Sequence, residues 1–215
     1  MCIRDSIGST GSGKSTLINL IPRFYDVTEG SIRIDGIDVR KFNLKALRKK
    51  IGFIRQKNLL FTGTIKSNIK FGKPHATHDE VENSAKIAQA YDFITTKEKG
   101  FDEPISEGGS NVSGGQKQRL SIARALVRKS EIYIFDDSFS ALDFKTDAIL
   151  RKALKKETKD AIVLIVAQRI GSIMDADKII VLDEGKVVGV GKHKELLSTC
   201  NVYHEIALSQ LTEEE

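Results

Sequence analysis

Gly8-Ser9-Thr10-Gly11-Ser12-Gly13-Lys14-Ser15-Thr16 fills every fixed position of the pattern G-x-x-x-x-G-K-[ST]. Glycines at this spacing let the backbone turn tightly enough for successive N–H groups to point at one anion, and a following helix adds its positive N-terminal end. Lys14 is then placed to reach the β- and γ-phosphates of a nucleotide triphosphate, and the Ser15 hydroxyl to ligate Mg²⁺. A Gly/Ser-rich loop could match by coincidence. Against that reading, Leu17, Ile18, Leu20 and Ile21 follow at once as the apolar face of a helix, the context the motif requires.

Upstream, the text is less regular. A phosphate loop is normally launched from a buried strand, which reads as a continuous apolar run. Met1-Cys2-Ile3-Arg4-Asp5-Ser6 carries Arg4 and Asp5 where core residues belong, so residues 1–6 read as a truncated or foreign start, with the launching strand missing and the domain beginning at Ile7.

Downstream, Ser31 to Val39 alternates around Asp35-Gly36, a hairpin signal. Asn43 to Lys50 reads as a short basic helix, and Ile51-Gly52-Phe53-Ile54 as a strand delivering Gln56. A loop, a short helix at Thr64 to Ile69, and Gly72 and Pro74 follow. Thr77 with Glu80 makes a capping box, and Val81, Ala85 and Ala88 continue a helical stripe. Glu107 to Gln116 is Gly-rich and leads into a helix whose apolar side holds Leu120, Ala123, Leu126 and Val127, a second loop-to-helix anion cradle. Ile132-Tyr133-Ile134-Phe135 is a buried strand ending in Asp136-Asp137; adjacent carboxylates there are costly unless they meet a cation or a bound water. A helix at Phe144 to Lys156, a strand at Ala161 to Ala167 ending in Gln168-Arg169, a strand and hairpin through Val188, and a helical tail complete the pattern. Strands alternating with helices around the loop predict an α/β phosphate-loop NTPase core with a mostly parallel sheet, a small antiparallel β lobe, and a helical lobe over roughly 75–130.

The composition is that of an ordinary globular domain: 215 residues, 40% hydrophobic and 29% charged. The net charge of +5 is dispersed without aromatic interleaving, so nucleotide phosphates are the one anion clearly demanded. Cys2 and Cys200 show no metal or redox spacing, which fits a reducing compartment. No apolar run approaches the ~20 residues of a membrane helix. His75, His78, His193 and His204 fit no ligand set and read as loop or surface residues.

Three motifs in order, GSTGSGKST at 8–16, NVSGGQKQRLSIARAL at 111–126 and IYIFDDSFSALD at 132–143, resemble the ATP-binding cassette of an ABC transporter over Ile7 to about Leu211, leaving 212–215 as an acidic tail. The middle motif is the decisive one, since many NTPase families share a phosphate loop. The resemblance implies ATP and Mg²⁺ as cofactors. It assigns Gly8 to Thr16 and Gln56 to ATP, and Ser15, Gln56 and Asp136 to Mg²⁺. It makes Ser113, Gly114, Gly115 and Gln116 the signature loop that binds the ATP of a second, head-to-tail cassette, with Ser140, Ala141, Leu142 and Asp143 crossing the dimer interface. Leu60-Phe61-Thr62-Gly63-Thr64-Ile65 and Glu107 to Asn111 are similar to exporter cassettes, whose membrane helices precede the cassette. That implies a place on the cytoplasmic face of the cell membrane through transmembrane domains absent from this chain.

Two departures bear on chemistry. Asp137 stands where such cassettes commonly carry a glutamate general base, and Gln168 stands where they usually carry histidine. The shorter side chain draws the carboxylate back from an attacking water, and general-base assistance is typically worth ~10²–10⁴ in rate, about 3–5 kcal/mol of barrier. Gln168 can donate to a γ-phosphate oxygen but cannot carry a proton. Both catalytic candidates fall on one site, as in the degenerate half of heterodimeric multidrug exporters: a slow site on this chain and an intact signature loop serving a heterodimer partner. The alternative is a soluble ABC-type ATPase acting on nucleic acid or the ribosome. About 100 residues separate the phosphate loop from the signature with no heptad stretch, which argues against the coiled-coil or zinc insertions of that class, and no specific nucleic acid is expected.

Overall fold

Cys2–Ile7 forms the first strand, β1, and it pairs in parallel on both edges, opposite Ile162 to Val166 on one side and Lys178 to Val181 on the other. This corrects the expectation that Arg4 and Asp5 leave the launching strand missing. A strand flanked on both edges satisfies its N–H and C=O groups through the backbone ladder, and that pairing is indifferent to which side chains are attached. The computed structural model describes residues 2–8 and 11–211, with 2–6 and 211 described in backbone only.

In chain order, the phosphate loop leads to α1 (Lys14–Leu20), the hairpin β2 (Arg33–Ile34) and β3 (Ile37–Asp38), α2 (Leu44–Lys49) and β4 (Ile51–Ile54). Next come β5 (Gly63–Thr64), α3 (Ile65–Lys70), α4 (His78–Ile87), α5 (Tyr91–Thr95), β6 (Pro104–Ile105) and α6 (Gly114–Leu126). The last third holds β7 (Ile132–Asp136), α7 (Phe144–Glu157), β8 (Ile162–Val166), β9 (Lys178–Asp183), β10 (Lys186–Gly191), α8 (His193–Thr199) and α9 (Asn201–Leu211). Local chemistry sets many of these boundaries. Asp35 and Gly36 both take positive φ, 51° and 76°, as the tight β2–β3 turn demands. Asn43 accepts from Lys45 N and Ala46 N to start α2, and Thr64 and Thr77 form capping boxes for α3 and α4.

The main sheet runs β10-β9-β1-β8-β7-β4, with β10 antiparallel to β9. The chain divides into two compact units. The strand-rich unit takes Cys2–Ile51, Ile134–Asp137 and Ile162 onward. Ile7, Phe135, Val163, Ile179, Val181 and Tyr203 are among its buried residues. In α1 the expected apolar face narrows: Ile18 is buried, but Leu17 is 40% exposed. One residue of helix turns a side chain by about 100°, and a seven-residue helix presents only one narrow stripe inward.

The helical unit takes Gly52–Tyr133 and Ser138–Ala161. Leu120, Ile122, Ala123 and Leu126 bury one side of α6, which packs on α3 and α4, and Val81, Ala85 and Ala88 are fully buried as the stripe predicts. The β5–β6 pair, Gly63 opposite Ile105 and Thr64 opposite Pro104, and helix α5 are additions to the expected pattern.

Candidate functional site

The phosphate loop leaves the end of β1 through Gly8, which lies against the backbone of β9 at Leu182. A Cβ at Gly8 would stand 1.9 Å from the Leu182 carbonyl oxygen and 2.8 Å from Ser12 Oγ, so no side chain fits there. Ser9 and Thr10 lie outside the described residues. Gly11 and Gly13 take φ of 84° and 91°, the left-handed region that other residues enter only with strain. Gly13 is the N-cap of α1 and has no side chain with which to bond the first-turn N–H groups. Lys14 is buried, and its Nζ donates to the Gly8 carbonyl at 2.7 Å and to Ser12 Oγ at 3.0 Å. Burial pushes the Lys14 pKa down, while the charges of Asp137 and Asp136 pull it back up. A phosphate entering the loop would offset that desolvation in the same way.

Strand β7 delivers the second part. Ser15 Oγ donates to Asp136 Oδ1 at 2.9 Å, joining the loop serine to a buried carboxylate 121 residues away. A hydroxyl and a carboxylate held together are hard oxygen donors, the set that suits Mg²⁺, so these residues fit the ion. Thr16 is exposed on α1.

Asp137, next in the chain, has φ of 45°, and its N–H donates to the Val166 carbonyl at 3.0 Å. A residue held in the left-handed region just past β7 turns its side chain out of the strand's alternation. Gln168, two residues past β8, donates from Nε2 to Asp137 Oδ2 at 3.0 Å. The two departures in the sequence are thus direct hydrogen-bond partners. The strand-rich unit therefore brings together Gly8, Gly11 to Ser15, Asp136, Asp137 and Gln168.

Sequence reading missed Gln210. From α9 its Nε2 donates to the Gln168 carbonyl at 2.6 Å, and its Oε1 accepts from Ile170 N at 2.7 Å. Nothing local in the text signals a contact across 40 residues.

The helical unit holds the remaining candidates. Ser113 is the N-cap of α6 in a reciprocal box: Gln116 N donates to Ser113 Oγ at 3.3 Å and Ser113 N to Gln116 Oε1 at 3.1 Å. The hydroxyl accepts in this cap, so its own hydrogen is left over for an anion. Gly115 lies against the loop Ser140 to Asp143, where a Cβ would come 3.2 Å from the Ala141 carbonyl oxygen. Within that loop Leu142 is buried as an anchor, Ser140 and Ala141 are exposed, and Asp143 caps α7 through Thr146 N at 2.9 Å. Beside it the Arg151 guanidinium stacks 4.0 Å from the centre of the buried Phe139 ring.

Gln56 is exposed just past β4, in the helical unit, whereas Ser15 and Asp136 belong to the strand-rich one. Its carbonyl accepts from Asn58 Nδ2 at 3.5 Å, and the same amide donates to Gln118 Oε1 on α6. Gln118 is 3% exposed. A polar residue on the buried stripe shared with Ile122, Ala125 and Leu126 was the signal that could have marked it.

His75, His78 and His204 are exposed, and His193 is half-buried with Nδ1 2.8 Å from the Tyr203 hydroxyl. Among the described residues no His, Cys, Asp and Glu cluster could hold a metal on its own, and no helix is long and apolar enough to cross a membrane.

A glycine-rich loop after a sheet strand, a lysine folded into it, and a serine bonded to a carboxylate at a neighbouring strand end define a phosphate-loop nucleotide-binding domain. A family model described as ABC transporter matches residues 6–140. A multidrug export ATP-binding/permease protein of Staphylococcus aureus (strain NCTC 8325 / PS 47) is 48% identical over 200 residues, 93% of this chain and 35% of that protein. Its counterpart in the bovine strain RF122/ET3-1 matches equally, at 48% over the same shares. Among solved structures, a bacterial Atm1-family ABC exporter with ATP bound has a TM-score of 0.95 at 37% identity, covering 98% of this chain and 37% of that one. The chain belongs to the ABC transporter family. It spans about a third of the length of the curated relatives it matches.

Proposed function

We propose that this chain is the ATP-binding cassette of an exporter, driving transport through ATP-dependent pairing with a second cassette. The observation that supports the reading is the Ser15–Asp136 hydrogen bond beside the buried Lys14, which joins two hard oxygen donors 121 residues apart. Lys14 binds the β- and γ-phosphates, and Ser15 and Asp136 hold Mg²⁺. Held by Ser15 and Asp136, Mg²⁺ would supply positive charge to offset that of the phosphates.

On this reading the chain's own site holds ATP and cleaves it slowly. Asp137 is short for a general base and is bonded to Gln168, whose amide cannot take a proton. The signature loop, Ser113 to Gln116, serves the partner's ATP instead, with Ser140 to Asp143 crossing the interface. The partner is a second cassette of a heterodimer, and both are carried by membrane domains at the cytoplasmic face.

The test uses the assembled exporter and reads hydrolysis at each site separately. Asp137→Glu combined with Gln168→His is expected to raise turnover at this chain's phosphate loop by ~10²-fold or more. Unchanged site-resolved turnover overturns the slow-site reading.

A further inference from the structure

We infer that Gln210 is a positioning residue that fixes Gln168 for recognition of a γ-phosphate, so that the C-terminal helix sets how well this site tells ATP from ADP. The inference rests on the proposed reading of Gln168 as a γ-phosphate donor. Its ground is the pair of hydrogen bonds from one amide: Gln210 Nε2 to the Gln168 carbonyl at 2.6 Å, and Ile170 N to Gln210 Oε1 at 2.7 Å. Together they bracket Arg169.

The segment needs such a clamp. Ala167 and Ile170 are buried, but Gln168 and Arg169 between them are exposed, so apolar packing does not set their backbone. An uncharged terminal amide donates from one atom and accepts at another, so it can hold two backbone groups at once. Gln210 reaches the segment because it continues the inward face of α9, seven residues after the buried Tyr203 and three after the buried Ala207. α9 packs on β9 and on the short turn Ile170–Ser172 that follows the clamped residues. From there the chain of contacts runs onward, since the Gln168 side chain donates to Asp137 Oδ2. A shift of α9 therefore moves both polar groups proposed to face the terminal phosphate.

The experiment compares Gln210→Met, which keeps the shape and removes both bonds, with Gln210→Glu, which keeps the acceptor for Ile170 N but replaces the donor with a carboxylate. Hydrogen exchange of the Ile170 amide and the affinities for ATP and ADP are measured on the whole chain. Gln210→Met is expected to speed Ile170 exchange about 3- to 10-fold and to lower the ATP-to-ADP affinity ratio by a similar factor, with ADP affinity held. Gln210→Glu is expected to keep Ile170 protected while still lowering the ratio.

Gln168→Ala run alongside separates the two claims. If it leaves the ratio unmoved, the γ-phosphate reading of Gln168 fails and Ile170 exchange alone decides the clamp. If Gln168→Ala lowers the ratio and both Gln210 variants leave the ratio and the exchange at their starting values, the positioning role is overturned. A uniform loss of ATP and ADP affinity in either Gln210 variant overturns it as well, because a structural defect would act on both nucleotides.

Discussion

The Gln168 amide nitrogen donates to Asp137 Oδ2 at 3.0 Å, so the carboxylate proposed to stand in a base's place is held by a group that takes no proton. If Asp137 does little as a base, Asp137→Asn should lower single-turnover hydrolysis at this chain's loop by less than about 10-fold, against the ~10²–10⁴ that a working general base contributes. Rapid-quench measurement on the assembled exporter checks this, and a loss of a thousandfold would make Asp137 the base.

Lys14 separates binding from folding. Its ammonium is buried, and that burial depresses its pKa despite Asp137 and Asp136 nearby. Lys14→Met is expected to weaken ATP binding about 10- to 100-fold, the scale of lost charge-assisted hydrogen bonds, while leaving the nucleotide-free melting temperature unchanged or slightly higher. Calorimetric titration and a thermal melt on the same variant decide it.

Arg124 on α6 is satisfied by acceptors without formal charge. Its guanidinium donates to the Asn68 carbonyl at 2.9 Å, to Asn68 Oδ1 at 2.8 Å and to the Leu59 carbonyl at 3.0 Å, with the Phe61 and Phe71 rings 5.3 and 5.8 Å away. Desolvation pushes its pKa down to about 10. A lysine ammonium cannot reproduce three planar, divergent hydrogen bonds, so Arg124→Lys should destabilise the chain by about 1–3 kcal/mol in urea unfolding.

Asp143 gives an acid-side dependence. The Thr146 N–H holds its carboxyl below the ordinary 3.8. The folded state then binds fewer protons than the unfolded one, so this contribution is present above pH 3.8 and fades as the pH falls below it. Asp143→Asn keeps an acceptor for the α7 cap but cannot titrate, so its stability should fall less than wild type's between pH 5 and pH 3 in parallel denaturation curves (about this window).

Features written in a few neighbouring residues were legible in the sequence. The phosphate loop, the Thr77–Glu80 box and the apolar run into Asp136 depend on spacing within one turn or one strand, and each forms where the spacing puts it. Arg4 and Asp5 misled because β1 is held by two backbone ladders rather than marked by an apolar run. β5 and β6 are two residues each, too short to show a period. Asp137 and Gln168 stood out singly through the family resemblance, but their bond, like those of Gln118 and Gln210, joins distant parts of the chain and leaves no local trace.

The position of β1 also orders the assembly of the domain in time. Its ladder partners are residues 162–166 and 178–181, so the strand that launches the phosphate loop lacks both until those residues have left the ribosome. Loop closure over such separations is slow and entropically costly. During synthesis β1 is thus made well before it can be fixed, and the helical segment Gly52–Tyr133 has the opportunity to condense before the nucleotide loop has a sheet to stand on.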